Sequence, residues 1–155
     1  MRLVLVRHGE AEPLRQADSD RALTRRGHEQ AAATGQWLAS IGGSTRVVAC
    51  SAYRRARETA QDVLAALPQA VLQVIPHVTP EDGVQEASAS IESVANGDIL
   101  VVVTHMPLVA ALAGWLEHGA PRECHPFALA EARVFELDLW GPGLARQVDR
   151  FIPAV

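Results

Sequence analysis

The chain has little of what several protein classes require. Cysteine is nearly absent: of 155 residues only Cys50 and Cys124 carry a thiol, too few for a disulfide framework. Cys50 closes an apolar run, where a free thiol serves as a small hydrophobe. Positive charge is not in excess. A net charge of -4 and a pI near 5.8 exclude the broad basic face that nucleic-acid binding draws on, so no nucleic-acid partner is expected. Nothing at the start resembles a signal peptide, because Leu3 to Val6 is far too short for its apolar region; with so few cysteines, this predicts a cytoplasmic location. Repeats, low-complexity tracts and linkers are also missing, so residues 1–155 read as one domain. Aromatic residues are only 5% of the chain, and Trp37, Trp115 and Trp140 read as packing residues rather than a binding platform.

No apolar run survives uninterrupted for the length of a membrane span. Ile99 to Leu116 comes nearest, but Thr104, His105 and Pro107 break it in the middle. Its first part is β-branched and its second rich in Ala and Leu. A buried strand turning into a core helix accounts for it, and no membrane partner is expected.

What is present alternates between strand and helix. Leu3 to Val6 is a short aliphatic run ending in Arg7-His8-Gly9. Such runs, bounded by a breaker, read as fully buried strands. Ala11 to Ala22 reads as a loop. Thr24 is an N-cap candidate for a helix to about Ser40, with Trp37, Leu38 and Ile41 near its inner face and Gly42-Gly43 stopping it. A strand at 46–50 leads through Ser51 into a helix from about Tyr53 to Leu67, closed by Pro68. A third strand spans 70–75, and a loop over 77–83 precedes a helix from Val84 to about Val94. Asn96-Gly97 is a turn, Asp98 to Val103 a fourth strand, and Pro107 suits the first turn of the next helix. The last third reads as a β-hairpin: Ala130 to Leu139, a turn at Gly141-Pro142-Gly143, then Ala145 to Ile152. Right-handed connections then predict an α/β fold, a mostly parallel central sheet with helices on both faces and the hairpin adding antiparallel edge strands.

Three strand ends carry residues suited to one task. The first gives Arg7, His8 and Gly9, the second Ser51 with Arg54, Arg55 and Arg57 just beyond, the fourth Thr104 and His105. In open α/β sheets ligands bind beyond the carboxyl ends of strands. If these strands are neighbours, two imidazoles and at least two guanidiniums converge there, beside helix N-termini that add donors. Arginine's planar fork grips phosphate oxygens in pairs, and a neutral imidazole can attack phosphorus. Gly9 lets the backbone come close to a ligand.

These motifs also carry a resemblance. Arg7-His8-Gly9-Glu10, the stretch from Asp20 to Gly27, Ser51 to Thr59, and Thr104 to Val109 are similar in order and spacing to the histidine phosphatase superfamily, with its phosphoglycerate mutase-like fold. The similarity covers Arg2 to about Glu117, and the short length looks most like the SixA-type phosphohistidine phosphatases. The resemblance implies a His8 nucleophile that is transiently phosphorylated, a pocket completed by Arg7, Arg55 and His105, and no cofactor or metal. It implies that Arg21 helps to hold substrate, with Gly9 and Ser51 supporting the binding site. Ala52 stands where relatives usually have proline, which loosens the turn before Arg55. Arg54 and Arg57 add positive charge at the rim.

Most superfamily members use an acid to protonate the leaving oxygen, and the candidates are Glu81 and Asp82. Their bland reading is an exposed loop and a favourable helix N-terminal charge pair. A leaving imidazole takes its proton from solvent readily, whereas an alkoxide needs a positioned acid. The interval from Arg55 to His105 holds only a helix, a strand and a helix, so little is left to build a lid. An open pocket admits a side chain displayed on another protein. The expected substrate is therefore a phosphohistidine-bearing protein such as a phosphotransfer domain, met by a monomer or weak dimer. One alternative is a phosphomonoesterase for small phosphorylated metabolites that uses Glu81 or Asp82 as general acid; another is an inactive phosphoprotein-binding module. His118, Cys124 and His125 match no common zinc spacing. Arg21, Arg25 and Arg26 alternate with Asp18, Asp20 and Glu29, a pattern that reads mostly as a solvated mixed-charge face.

Overall fold

Because side chains alternate across a strand, each buried strand of this chain serves two cores at once. The computed structural model describes residues 1–96, 98–121 and 125–154; Gly97 of the expected turn and Cys124 lie outside them. The elements follow in the order β1 (Arg2–Arg7), α1 (Arg25–Ser40), β2 (Thr45–Cys50), α2 (Arg54–Leu64), β3 (Val71–Val74), α3 (Val84–Ser93), β4 (Ile99–Thr104), α4 (Leu108–His118), β5 (Ala132–Glu136) and β6 (Arg146–Phe151), with a 3-10 turn at Asp18–Asp20 inside the 11–22 loop. Leu3, Leu5, Leu100 and Val102 point to one face, where Ala87 and Ile91 of α3 and Leu112 and Leu116 of α4 cover them. Val4, Val6, Val101 and Val103 point to the other, against Leu38 of α1 and Ala56, Ala60 and Val63 of α2.

The six strands lie in the order β3-β2-β4-β1-β5-β6. The first four are parallel, and β5 and β6 pair antiparallel, as the hairpin reading expects. β2, β4 and β1 are immediate neighbours, so all three strand ends singled out in the sequence meet at one edge of the sheet.

Local chemistry explains the boundaries. Thr24 caps α1, its side chain accepting from the Gly27 N–H, and Gly42 and Gly43 both adopt positive φ just after the helix ends. α2 stops at Leu64, three residues before the expected Leu67: Ala66 and Leu67 bond back to Val63 and Leu64 in tighter i to i−3 turns ahead of Pro68. Pro107 is the N-cap of α4 rather than its first turn. β5 ends at Glu136, leaving Leu139 exposed beyond the strand. Trp115 is buried, Trp140 packs against the same core, and Trp37 stacks on Phe151. Among the described residues no helix is long and apolar enough to cross a membrane; the apolar stretch from Ile99 is β4 followed by α4.

Candidate active site

His8 leaves β1 with its backbone pinned on both sides. Its N–H donates to the Thr104 carbonyl of β4, and its own carbonyl accepts from the Ala130 N–H. The ring is then fixed in one tautomer. Nδ1 lies 2.7 Å from the Gly9 carbonyl, which can only accept, so Nδ1 carries the proton. Nε2 lies 3.3 Å from Arg55 Nε, which can only donate, so Nε2 presents its lone pair. Burial pushes the His8 pKa down to about 4, the Gly9 carbonyl opposes this, and Arg55, Arg7 and Arg21 add to the lowering. The imidazole is neutral at neutral pH, and desolvation does more to keep it so than any one of the arginines.

Arg55 enters from the first turn of α2 and is 4% exposed. The turn that delivers it is held by the Ser51 hydroxyl, which accepts from the Tyr53 N–H at 3.1 Å, and by Arg57, whose Nε donates to the Ala52 carbonyl. Ser51 is fully buried, so it shapes the turn from beneath. These two bonds tie down the turn in which Ala52 replaces the usual proline. Arg57 and Arg54 are exposed, and Arg54 pairs with Glu58.

Arg7 donates from Nη1 to the Phe127 carbonyl at 2.7 Å, while its Nε is buried with no hydrogen-bond partner among the described residues. His105 is 1% exposed, and neither of its ring nitrogens has a partner among those residues. Its ring lies 5.2 Å from that of His8 and meets the edge of Tyr53. Burial, with His8 and Arg55 adding to it, lowers the His105 pKa strongly. Buried polar atoms without partners are rare in folded proteins; these three belong to Arg7, which shares the His8 cavity, and to the imidazole whose ring lies against that of His8.

In front of His8 opens a cavity of about 370 Å³ lined by Arg7, Arg21 and Arg55, with Glu10, Ala11, Met106 and Leu129. His8 itself is 9% exposed, so the ring is more enclosed than a shallow pocket would leave it. The wall residues other than His8 and Arg55 are only half buried, and the cavity opens to solvent between them. The 11–22 segment forms one side, where Arg21 is held by the Glu12 carbonyl and the Asp18 carboxylate.

Gly9 brings its backbone close to α1: a Cβ there would stand 2.6 Å from the Gly27 carbonyl. One expectation changes in detail. Asp18 is no part of a merely solvated face, since its carboxylate reaches Arg55 and its main-chain oxygen accepts from the same guanidinium. Glu81 accepts from the Tyr53 hydroxyl at 3.0 Å and from Thr79, and Asp82 Oδ2 accepts from the N–H and the hydroxyl of Thr79. Neither lines the cavity. Sequence reasoning did not single out Tyr53, Asp18 or Glu131 for the site. Glu131 is fully buried, bonded to Arg133, Arg150 and the Ala128 N–H, and its backbone carbonyl receives the Arg7 N–H. Among the described residues no group of three or more His, Cys, Asp or Glu is arranged to hold a metal ion.

A buried, neutral imidazole at a strand end, set among arginines, has the chemistry that phosphoryl transfer calls for. Comparison with known proteins gives it a family. Residues 3–79 match the histidine phosphatase superfamily, branch 1, a stretch that holds Arg7, His8 and Arg55. The chain is 30% identical over 148 residues to the phosphohistidine phosphatase SixA of Escherichia coli, covering 92% of this chain and 89% of that one. It is 29% identical over 150 residues to a SixA homolog of Haemophilus influenzae, covering 90% and 88%. A solved structure of the protein histidine phosphatase SixA complexed with tungstate superposes with a TM-score of 0.84 at 26% identity, over 99% of this chain and 97% of that one. The chain belongs to the histidine phosphatase superfamily, and it is a phosphatase.

Proposed function

We propose that this chain hydrolyses phosphohistidine displayed on a protein, through a covalent phosphoenzyme on His8, with residues 1–155 acting as one domain. The observation that carries the proposal is the doubly fixed tautomer: the Gly9 carbonyl takes the Nδ1 proton and Arg55 faces the Nε2 lone pair. Nε2 attacks phosphorus, the N–P bond of the substrate breaks, and its imidazole takes a proton from solvent. Water then attacks the phosphohistidine, the Nε2–P bond breaks, and inorganic phosphate leaves.

Arg55, Arg7 through its unpartnered Nε, and His105 hold the phosphoryl oxygens while charge shifts among them. Arg21 binds from the cavity wall, and Gly9 and Ser51 act by fixing the nucleophile and the Arg55 turn. As Nε2 is phosphorylated its ring gains positive charge, which the Gly9 carbonyl stabilises through Nδ1–H. The half-buried walls admit a side chain on a protein surface, and the names of the SixA relatives support that substrate class. A phosphotransfer domain bearing phosphohistidine is the partner that fits.

The test is phosphate release from a phosphohistidine-bearing phosphotransfer domain, comparing the native chain with His8→Ala. Release by the native chain, reduced at least about a thousandfold in the variant, is the expected result. A folded native chain that leaves this substrate intact and hydrolyses a small phosphomonoester would overturn it.

A further inference from the structure

All three nitrogens of Arg55 have partners before any substrate arrives. Its Nε–H faces His8 Nε2, its Nη1 donates to the Asp18 main-chain oxygen at 2.7 Å, and its Nη2 donates to Asp18 Oδ2 at 3.1 Å. Nε–H and the adjacent Nη2–H form one edge of the guanidinium, the edge that grips two oxygens of a phosphate or carboxylate together. A phosphoryl group on His8 Nε2 must come up against that edge, because Arg55 Nε lies 3.3 Å from Nε2 itself. Nη2, one of the two nitrogens of that edge, already holds a carboxylate oxygen. The other oxygen of the same carboxylate, Oδ1, accepts from Arg21 Nη1 at 3.1 Å, and Arg21 also lines the cavity.

We propose that Asp18 is an internal competitor of the phosphoryl group: its carboxylate neutralises the Arg55–Arg21 pair in the free enzyme and is displaced from Arg55 Nη2 when an oxyanion binds. This rests on the phosphoryl-binding reading of the His8 site. Asp18 can give way because its side chain is 41% exposed, so the displaced carboxylate returns to water and not to a dry interior. The bond from Arg55 Nη1 to the Asp18 main-chain oxygen involves no side chain of Asp18 and keeps the 3-10 turn in place throughout. The device sets specificity by charge. A dianionic phosphoryl group outcompetes one carboxylate for two guanidiniums, whereas a monoanion such as a protein's own carboxylates has no such advantage. It also limits retention of the product, since the carboxylate re-enters as phosphate leaves.

The test is direct binding of tungstate and of inorganic phosphate by calorimetry to the native chain, Asp18→Asn and Asp20→Asn. Asp20 is the control: it belongs to the same turn and carries the same charge, but it pairs with Arg54 at 3.8 Å and has no contact with Arg55. Asp18→Asn should bind both oxyanions about three- to tenfold more tightly, with a lower KM and no higher kcat, while Asp20→Asn shifts binding less than twofold. Unchanged or weaker binding by Asp18→Asn overturns the proposal and makes Asp18 a support for Arg55. Equal tightening by both variants also overturns it, by reducing the effect to net charge. A native chain that binds neither oxyanion would instead contradict the phosphoryl-binding reading beneath it. Thermal melts of the three proteins confirm that folded chains are being compared.

Discussion

Two clusters in this molecule have the same composition, one carboxylate between two arginines, and opposite fates. Glu131 lies between Arg133 and Arg150, fully buried, with a further bond from the Ala128 N–H. Asp18 lies between Arg55 and Arg21, with its side chain 41% exposed. In each case burial works to raise the carboxyl pKa, and hydrogen bonds and charge attraction from the arginines, joined at Glu131 by the Ala128 N–H, more than offset it and hold both below the usual range. What differs is the way out. The Glu131 carboxylate has no water to return to, so its cluster is permanent and fixes the β5 end on which Arg7 and His8 lean through Glu131 O and Ala130 N. The Asp18 carboxylate is beside water, so its cluster can exchange one anion for another. The sequence contains no lysine, and every cation in both clusters is the residue whose fork can hold two oxygens at once.

The largest effect expected from breaking this contrast is on stability. Glu131→Gln removes the charge of a fully buried carboxylate bonded to Arg133, Arg150 and the Ala128 N–H and should cost about 3–5 kcal/mol, whereas Asp18→Asn should stay within about 1 kcal/mol. Denaturant midpoints of the two variants measure the contrast, and equal losses would erase it.

The second prediction concerns pH. His8 titrates at about 4 in the folded chain against an ordinary 6.5, so between those values the unfolded chain binds more protons than the folded one. Stability therefore rises with pH through this window and is lost as pH falls from 6.5 toward 4, by on the order of 3 kcal/mol from His8. His105 contributes in the same direction. Carboxylates titrate in part of this range too, so the measurement is the difference between the native chain and His8→Asn. The variant should show the flatter profile, and identical profiles would contradict the buried neutral imidazole. Turnover by the native chain should likewise persist well below pH 6.5, because the attacking nitrogen stays unprotonated.

The smallest effect is expected in the loop after β3. Glu81→Gln combined with Asp82→Asn should change turnover of phosphohistidine less than about twofold, since a leaving imidazole needs no positioned acid. A large loss on this substrate would give these carboxylates a catalytic part. A loss confined to phosphomonoesters would revive the metabolite phosphatase alternative.

Much of this was legible in the sequence because the signals are local. Continuous aliphatic runs ending in a polar residue mark β1, β2 and β4, and their ends carry His8, Arg55 and His105 within a few positions of the last buried valine or cysteine. Thr24 and Gly42-Gly43 bracket α1 by cap chemistry that depends on neighbouring residues alone. What stayed hidden depends on residues far apart in the chain. Asp18 meets Arg55 only because the 11–22 segment folds back over α2. Glu131 matters because the hairpin places it beside the end of β1. In the sequence Asp18 belongs to an unremarkable run of mixed charges, and nothing in that run distinguishes it from Asp20, which faces solvent. The single available signal was a carboxylate three residues before Arg21, a spacing that suits a pair within one turn.

The proposed reaction turns on which atom of which residue attacks phosphorus. Rapid quenching of the native chain during turnover of a phosphohistidine-bearing protein, followed by phosphorus NMR of the trapped enzyme, answers that directly. The expected result is acid-labile phosphate on His8 at Nε2, the nitrogen left free by the Gly9 carbonyl. Phosphate on Nδ1, on another residue, or on no residue of a chain that is turning over would contradict it.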